Sequence, residues 1–158
     1  MSDARFEDGD EQPLRLMAQD AEGLAVLSAL LQDAIFPITE MTYAKSRRRF
    51  ALLLNRFRWE DETAARATGR RFERVQSLLV FEDVQTVRTA GIDRGDADTV
   101  LSLLQIGFEP GADGTGTVTL VLAGDGAIAL QTEALDATLR DVTRPYLAPS
   151  GKAPTHGQ

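Results

Sequence analysis

The sequence predicts an α+β fold built mostly on an antiparallel sheet. Helical hydrophobic spacing occurs twice, once near each end of the chain, at Leu24, Leu27, Leu30 and Leu31 and again at Leu135, Leu139 and Val142. Between those stretches the apolar residues alternate with polar ones, the period of a half-buried strand. Turn chemistry such as Gly124-Asp125-Gly126 breaks the alternating runs at short intervals, as antiparallel hairpins require.

Residues 1–13 hold five acids, one Arg, Gly9 and Pro13, and read as a disordered acidic segment. Leu14 to Ala18 is short and weakly alternating, which suits a strand. Asp20 is placed to cap a helix, because its carboxylate can accept from the free N–H groups of the first turn. Glu22 adds a favourable charge at that end. Pro37 closes this strand-helix unit or sets the next strand at an edge.

Thr39 to Lys45 reads as a strand, followed by a long one through Trp59. Arg48, Phe50, Leu52, Leu54, Arg56 and Arg58 would form one of its faces. Arg47, Arg49, Ala51, Leu53, Asn55, Phe57 and Trp59 would form the other. Both faces are apolar in the middle and charged at the tips, the pattern of a strand buried midway. Residues 60–69 form a polar loop. Phe72 to Phe81, Val84 to Ala90 and Val100 to Phe108 read as further strands, the last stopped by Glu109-Pro110. Val118 to Leu122 and Ile128 to Leu130 flank the Gly124-Asp125-Gly126 turn as a hairpin. Leu135, Leu139 and Val142 then mark a helix from about Thr132 to Arg144, ended by Pro145. Residues 148–158 are small, polar and rich in Gly and Pro, and read as a flexible tail.

Residues 14–147 are thus expected to form a single globular domain. From Thr39 onward the order is seven strands and then one helix. That order matches a pleckstrin-homology-like barrel with a C-terminal capping helix, preceded here by an additional N-terminal strand-helix unit. An α+β sandwich with both helices on one sheet face is the alternative. Neither architecture specifies a function.

Composition narrows the chemistry. The chain has no Cys, which excludes disulfides, thiolate catalysis and Cys-based zinc sites. Its single His is His156, in the tail. No cofactor or metal is expected, and the lean is towards a non-enzymatic protein. The N-terminus lacks an apolar signal region, and the richest apolar run, Leu24 to Leu31, is too short to span a bilayer. A soluble cytoplasmic protein with no membrane partner is the expectation. At −7, the net charge disfavours indiscriminate binding of polyanions.

Charge is nevertheless segregated. Lys45 to Arg74 holds ten of the 17 Lys and Arg residues against four acids, while the remainder carries seven bases against twenty acids. Half of the ten aromatic residues fall in nearly the same stretch: Tyr43, Phe50, Phe57, Trp59 and Phe72. Arginine forks take anionic oxygens two at a time, and aromatic faces stack bases or anchor partners. The binding candidates are therefore Arg47 and Arg49 on the long strand, Trp59 beside it, and Arg70, Arg71 and Arg74 beyond the polar loop. The structural alternative has Arg48, Arg56 and Arg58 pairing with neighbouring carboxylates while Phe50, Phe57 and Trp59 fill the core.

Other motifs read as structure. Asp93, Asp96 and Asp98 resemble a cation loop, but the Gly and distal Glu that calcium needs are not at the right spacing. The GADGTG and GDG stretches lack the following helix that a phosphate loop requires. Glu82 and Asp83 point to opposite faces of a strand, so they do not converge as an acid-base pair.

Several stretches together resemble one family: LLLNRFRWE (52–60), RVQSLLVFEDVQTVRTAGID (74–93), ADTVLSLLQIGFEP (97–110) and LAGDGAIALQTEALDATLRDV (122–142). It is a family of short alphaproteobacterial proteins known only as a domain of unknown function. The resemblance covers most of the chain between its two tails and implies a bacterial, cytosolic, single-domain protein. It brings no activity, cofactor or catalytic residue.

These readings converge on a small binding or adaptor module with an Arg-rich surface and an acidic protein partner. Single-stranded RNA is a second partner class. A carboxylate- and arginine-based enzyme or binder acting on a phosphorylated small molecule is the opposing reading. A homo-oligomer with merely structural charges, made easy by self-pairing of edge strands, is a third.

Overall fold

The computed structural model describes residues 13–61, 66, 67, 73–93 and 95–147. Strand runs β1 (Arg15–Ala18), β2 (Ile35–Pro37), β3 (Met41–Ala44), β4 (Arg49–Phe57), β5 (Glu73–Phe81) and β6 (Val84–Ala90) through the first part. The rest comprises β7 (Val100–Pro110), β8 (Gly116–Leu122), β9 (Ala127–Thr132), β10 (Ala137–Asp141) and β11 (Tyr146–Leu147). The α-helix that packs on the sheet is α1 (Ala21–Leu30). Strand takes up 54% against 19% for helix of all kinds, so the fold lies closer to all-β than to the expected α+β.

The strands form one open, antiparallel sheet in the order β1-β10-β5-β4-β2-β7-β8-β9-β6, with β3 paired to β4 and β11 to β5. Strand β7 joins two halves. Its start, Val100 to Ser102, pairs with β2, and its remainder pairs with β8 after a register shift between Leu103 and Gln105. The halves also meet where Val84 N–H donates to the Arg48 carbonyl at 2.8 Å. Inner-face residues of both halves, such as Phe50, Leu79, Leu120 and Leu130, share one buried cluster with Leu24, Leu27 and Leu31 of the helix segment.

Local chemistry explains α1. Asp20 accepts from Gly23 N–H at 2.7 Å, as the N-cap reading expects. Leu24 and Leu27 are buried. Ser28 Oγ accepts from Ile106 N–H at 2.9 Å and fixes the helix to β7.

The expected C-terminal helix is absent, and this overturns the capped-barrel architecture. Residues 137–141 are β10, which pairs with β1 on one side and β5 on the other. Leu135 and Leu139 do share a helical spacing, but Leu135, Ala137 and Leu139 also alternate, and all three are buried. Val142, the third residue of the helical pattern, is exposed. Ladder bonds to two strands favour the period-two arrangement over a lone helix, which gains little stability from propensity alone.

Smaller differences have local causes. Ile38 to Glu40 forms one 3-10 turn, so the strand expected from Thr39 starts at Met41. Strand β7 runs through Glu109-Pro110 instead of stopping before them. Strand β2 inserts between β4 and β7 although Pro37 ends it. Around the expected cation loop, Asp93 accepts from Gly95 N–H and Asp96 from Asp98 N–H, so these carboxylates serve local turns. The acidic segment to residue 12 and the tail from residue 148 lie outside the described residues, as do Arg70, Arg71 and Phe72. No helix among the described residues is long and apolar enough to cross a membrane.

Candidate functional site

The long strand β4 sorts its side chains as the alternation predicts. Phe50, Leu52, Leu54 and Arg56 face inward and are buried. Ala51, Leu53 and Asn55 face outward and are partly covered. The register then fixes their neighbours, with Ala51 opposite Val80, Leu53 opposite Leu78, Asn55 opposite Gln76 and Phe57 opposite Arg74.

Four arginines of the basic window, Arg48, Arg49, Arg56 and Arg58, are paired with carboxylates. Arg56 is fully buried. Its Nε and Nη2 reach Asp141 at 3.1 and 3.0 Å, its Nη1 and Nη2 reach Glu60 at 2.9 and 2.8 Å, and Nη1 also donates to the Phe57 carbonyl. Asp141 further accepts from Ser77 Oγ at 2.7 Å and from Leu14 N–H at 3.0 Å. Burial alone would lower the Arg56 pKa, but the hydrogen bonds and charges of Glu60 and Asp141 outweigh it and raise it. Burial would likewise raise the Glu60 carboxyl, yet Arg56 holds it below its ordinary value.

Arg58 pairs with Glu73 and Asp61. At the other end of β4, Arg48 pairs with Glu133 at 2.8 Å and Arg49 with Glu82 at 2.9 Å. The hydrogen bond and charge of Glu82 raise the Arg49 pKa. Three acids from outside the basic window, Glu82, Glu133 and Asp141, therefore cancel half of its excess charge.

The described candidates do not share one patch. Arg47 ends a 3-10 turn (Lys45–Arg47) instead of lying on the long strand, and Arg49 opens β4, while Trp59 and Arg74 stand at the far end of β4, roughly 25 Å away at the rise of an extended strand. Arg47 is exposed. Arg74 lies over the Phe57 ring at 4.1 Å, and Phe57 meets Trp59 with ring centroids 5.6 Å apart. Trp59 Nε1 donates to the Gln32 carbonyl at 2.9 Å. Burial lowers the Arg74 pKa, and its Nε is screened from solvent with no partner among the described residues.

Another surface carries a stronger signal. The outward face of the half formed by β1, β10, β5, β4 and β2 presents Met17, Val80, Leu78, Leu53, Ile35 and Pro37. Met17 is 62% exposed, and the adjacent Val100 is 59% exposed. No described element covers this face. A groove of about 290 Å³ crosses it between Ile35, Pro37, Glu40, Leu53, Asn55 and Gln76. At its wall Asn55 Oδ1 is screened from solvent and accepts no hydrogen bond from the described residues. The corresponding face of the other half carries more polar side chains, with Thr86, Arg88, Thr117 and Gln131 around Ala129.

Two further cations sit on the apolar face. Arg15 and Arg140 are directly opposite each other on β1 and β10, both exposed, with no carboxylate partner among the described residues. Like charges so placed repel unless something external pairs them. Their sequence separation hid them, since only the β1–β10 register brings them together. Among the described residues no group of three or more acidic or His side chains gathers as a metal site.

The architecture is thus an open antiparallel sheet with α1 on its inner side and a largely apolar outer face on one half. The chain matches the family model described as "Protein of unknown function (DUF2948)" over residues 14–156, and it belongs to that family. Neither the curated proteins nor the solved structures yield a match.

Proposed function

We propose that the protein is a non-enzymatic interaction module that works by protein–protein contact through the outer face of β1, β10, β5, β4 and β2. The observation that carries this reading is the contrast between the two halves: one outer face is lined largely by polar side chains, while the other presents half-buried Ile35, Leu53, Leu78 and Val80 between exposed Met17 and Val100. Contiguous exposed apolar surface with polar rims marks an interaction site. Arg15 and Arg140 supply cations for an acidic group on the partner.

The RNA reading has less support. Its stacking platform would need open aromatic faces, whereas Phe57 lies under Arg74 and Trp59 is turned to a backbone carbonyl. The experiment is co-purification from native cytosol with wild type and Leu53→Glu, at low and high salt, followed by reconstitution with each purified companion. A protein retained at high salt by wild type and lost by Leu53→Glu supports the module. RNA retained only at low salt would replace it, because phosphate contacts weaken by orders of magnitude between about 50 and 200 mM salt.

A further inference from the structure

We infer that the partner on this face is a second copy of the chain, related by a two-fold axis running parallel to the strands between β4 and β5. This rests on the reading of the face as an interaction surface.

The face is self-complementary. Met41 pairs with Leu52, and Glu40, the last residue of the preceding 3-10 turn, lines the groove beside Leu53. Leu53 is opposite Leu78, Leu78 opposite Arg140, and Arg140 opposite Arg15. One line across the sheet therefore reads Arg15, Arg140, Leu78, Leu53, Glu40. The rotation reverses that line. Arg140 meets Glu40 of the second copy, and Leu78 meets Leu53.

The neighbouring line follows the same rule. Asn55 is opposite Gln76, so the rotation sets Gln76 of the second copy over Asn55. The Gln76 amide then supplies the donor that Asn55 Oδ1 lacks within the chain. A two-fold running across the strands would instead stack the arginine strands on each other. A partner offering only acids would leave Glu40, at the groove, facing like charge.

Four columns overlap about that axis, namely β10, β5, β4 and the column shared by β2 and β3. At about 4.8 Å between strands and seven residues of about 3.3 Å rise, the projected footprint is roughly 440 Å² per copy, the size of a concentration-dependent contact and below the ~800 Å² per partner of a stable one. Stacked sheets lie about 10 Å apart, a gap that facing leucines fill and an Arg–Glu pair spans. C2 association of this kind is the commonest form of closed assembly.

Sedimentation of the full chain across concentration tests the inference. Wild type is expected at twice the 17.2 kDa chain mass. Leu53→Glu is expected to sediment as a folded monomer, its fold checked by circular dichroism. Arg140→Glu and Glu40→Arg each place like charges together twice per dimer, and each should raise the dissociation constant at least tenfold. The double variant Arg140→Glu/Glu40→Arg swaps the pair and should restore the dimer. A wild-type monomer at about 100 μM, or a dimer indifferent to Leu53→Glu, overturns self-pairing. If the chain is monomeric yet binds a purified companion that Leu53→Glu abolishes, the interaction module stands with another partner. If Leu53→Glu changes neither association nor companion binding, both readings fall.

Discussion

Replacing Asp141 with Ala should be among the most damaging single changes outside the apolar core. Asp141 is 4% exposed at its side chain and takes four donors: Arg56 Nε and Nη2, Ser77 Oγ and Leu14 N–H. Those contacts join β4, β5, β10 and the residue before β1. Removing the carboxylate leaves Leu14 N–H without that acceptor and strips Arg56 of one of its two anions while the guanidinium remains fully buried. Breaking a buried pair from one side costs about 3–5 kcal/mol. Glu60 still holds Arg56, so the lower end, about 3 kcal/mol, is expected. For a chain of this size that lowers Tm by roughly 10 °C. The assay is urea denaturation with a thermal melt, alongside Arg56→Met/Asp141→Leu, in which both charges are removed. The double variant should be clearly more stable than Asp141→Ala, because the fully buried guanidinium is gone and the remaining Glu60, 32% exposed at its side chain, keeps access to water. Surface controls at Arg48–Glu133 should leave the midpoint nearly unchanged, since both side chains are more than half exposed. A loss below about 1 kcal/mol for Asp141→Ala would refute the claim that this network fastens the strands.

Glu60 gives a pH prediction. Burial pushes its pKa up, but Arg56 more than compensates, so the folded value lies below the unfolded one. Its stabilisation is therefore complete above the unfolded pKa and is lost as pH falls through the folded one. Glu60→Gln should destabilise at pH 7, with the two curves converging in acid, as read by urea midpoints from pH 7 to 3. Asp20→Ala should cost about 1 kcal/mol by loss of the α1 cap, and Asp20→Asn far less, in the same assay. Leu79→Ala, at a fully buried position opposite Leu52, should cost about 2–5 kcal/mol through the cavity it leaves, read by chemical denaturation.

Local chemistry was legible in the sequence wherever it was decisive. Asp20 announced a helix start, Gly124-Asp125-Gly126 announced a hairpin, and the alternation from Phe50 to Leu54 assigned the faces of β4. The same alternation supported pairing of Arg48, Arg56 and Arg58 with carboxylates, although the acids involved could not be named. Asp141 lies 85 positions beyond Arg56, and only strand pairing brings them together. The C-terminal segment misled for a related reason. Leu135, Leu139 and Val142 suit a helix, while Ala137 is too small to advertise the competing alternation. The free places beside β5 and β1 that β10 fills are invisible in one dimension. Arg15, Arg140, Glu40 and Gln76 drew no attention for the same reason, since their meaning depends on register.

The correction at the C-terminus bears directly on the exposed face. Had residues 132–144 been a helix, a second helical layer would have been available to cover one side of the sheet. As strand, they widen the sheet instead, and α1 packs on the inner side with Leu24 and Leu27 in the shared core. The outer side of the second half presents Thr86, Arg88, Thr117 and Gln131 to water. The outer side of the first half gains Thr138 and Arg140 from β10 and still carries Met17, Leu78 and Leu53. Apolar sheet faces are normally buried against another layer. Here no described element supplies that layer, so the residues that removed the expected helix also created the line of charges through which a second copy can supply it.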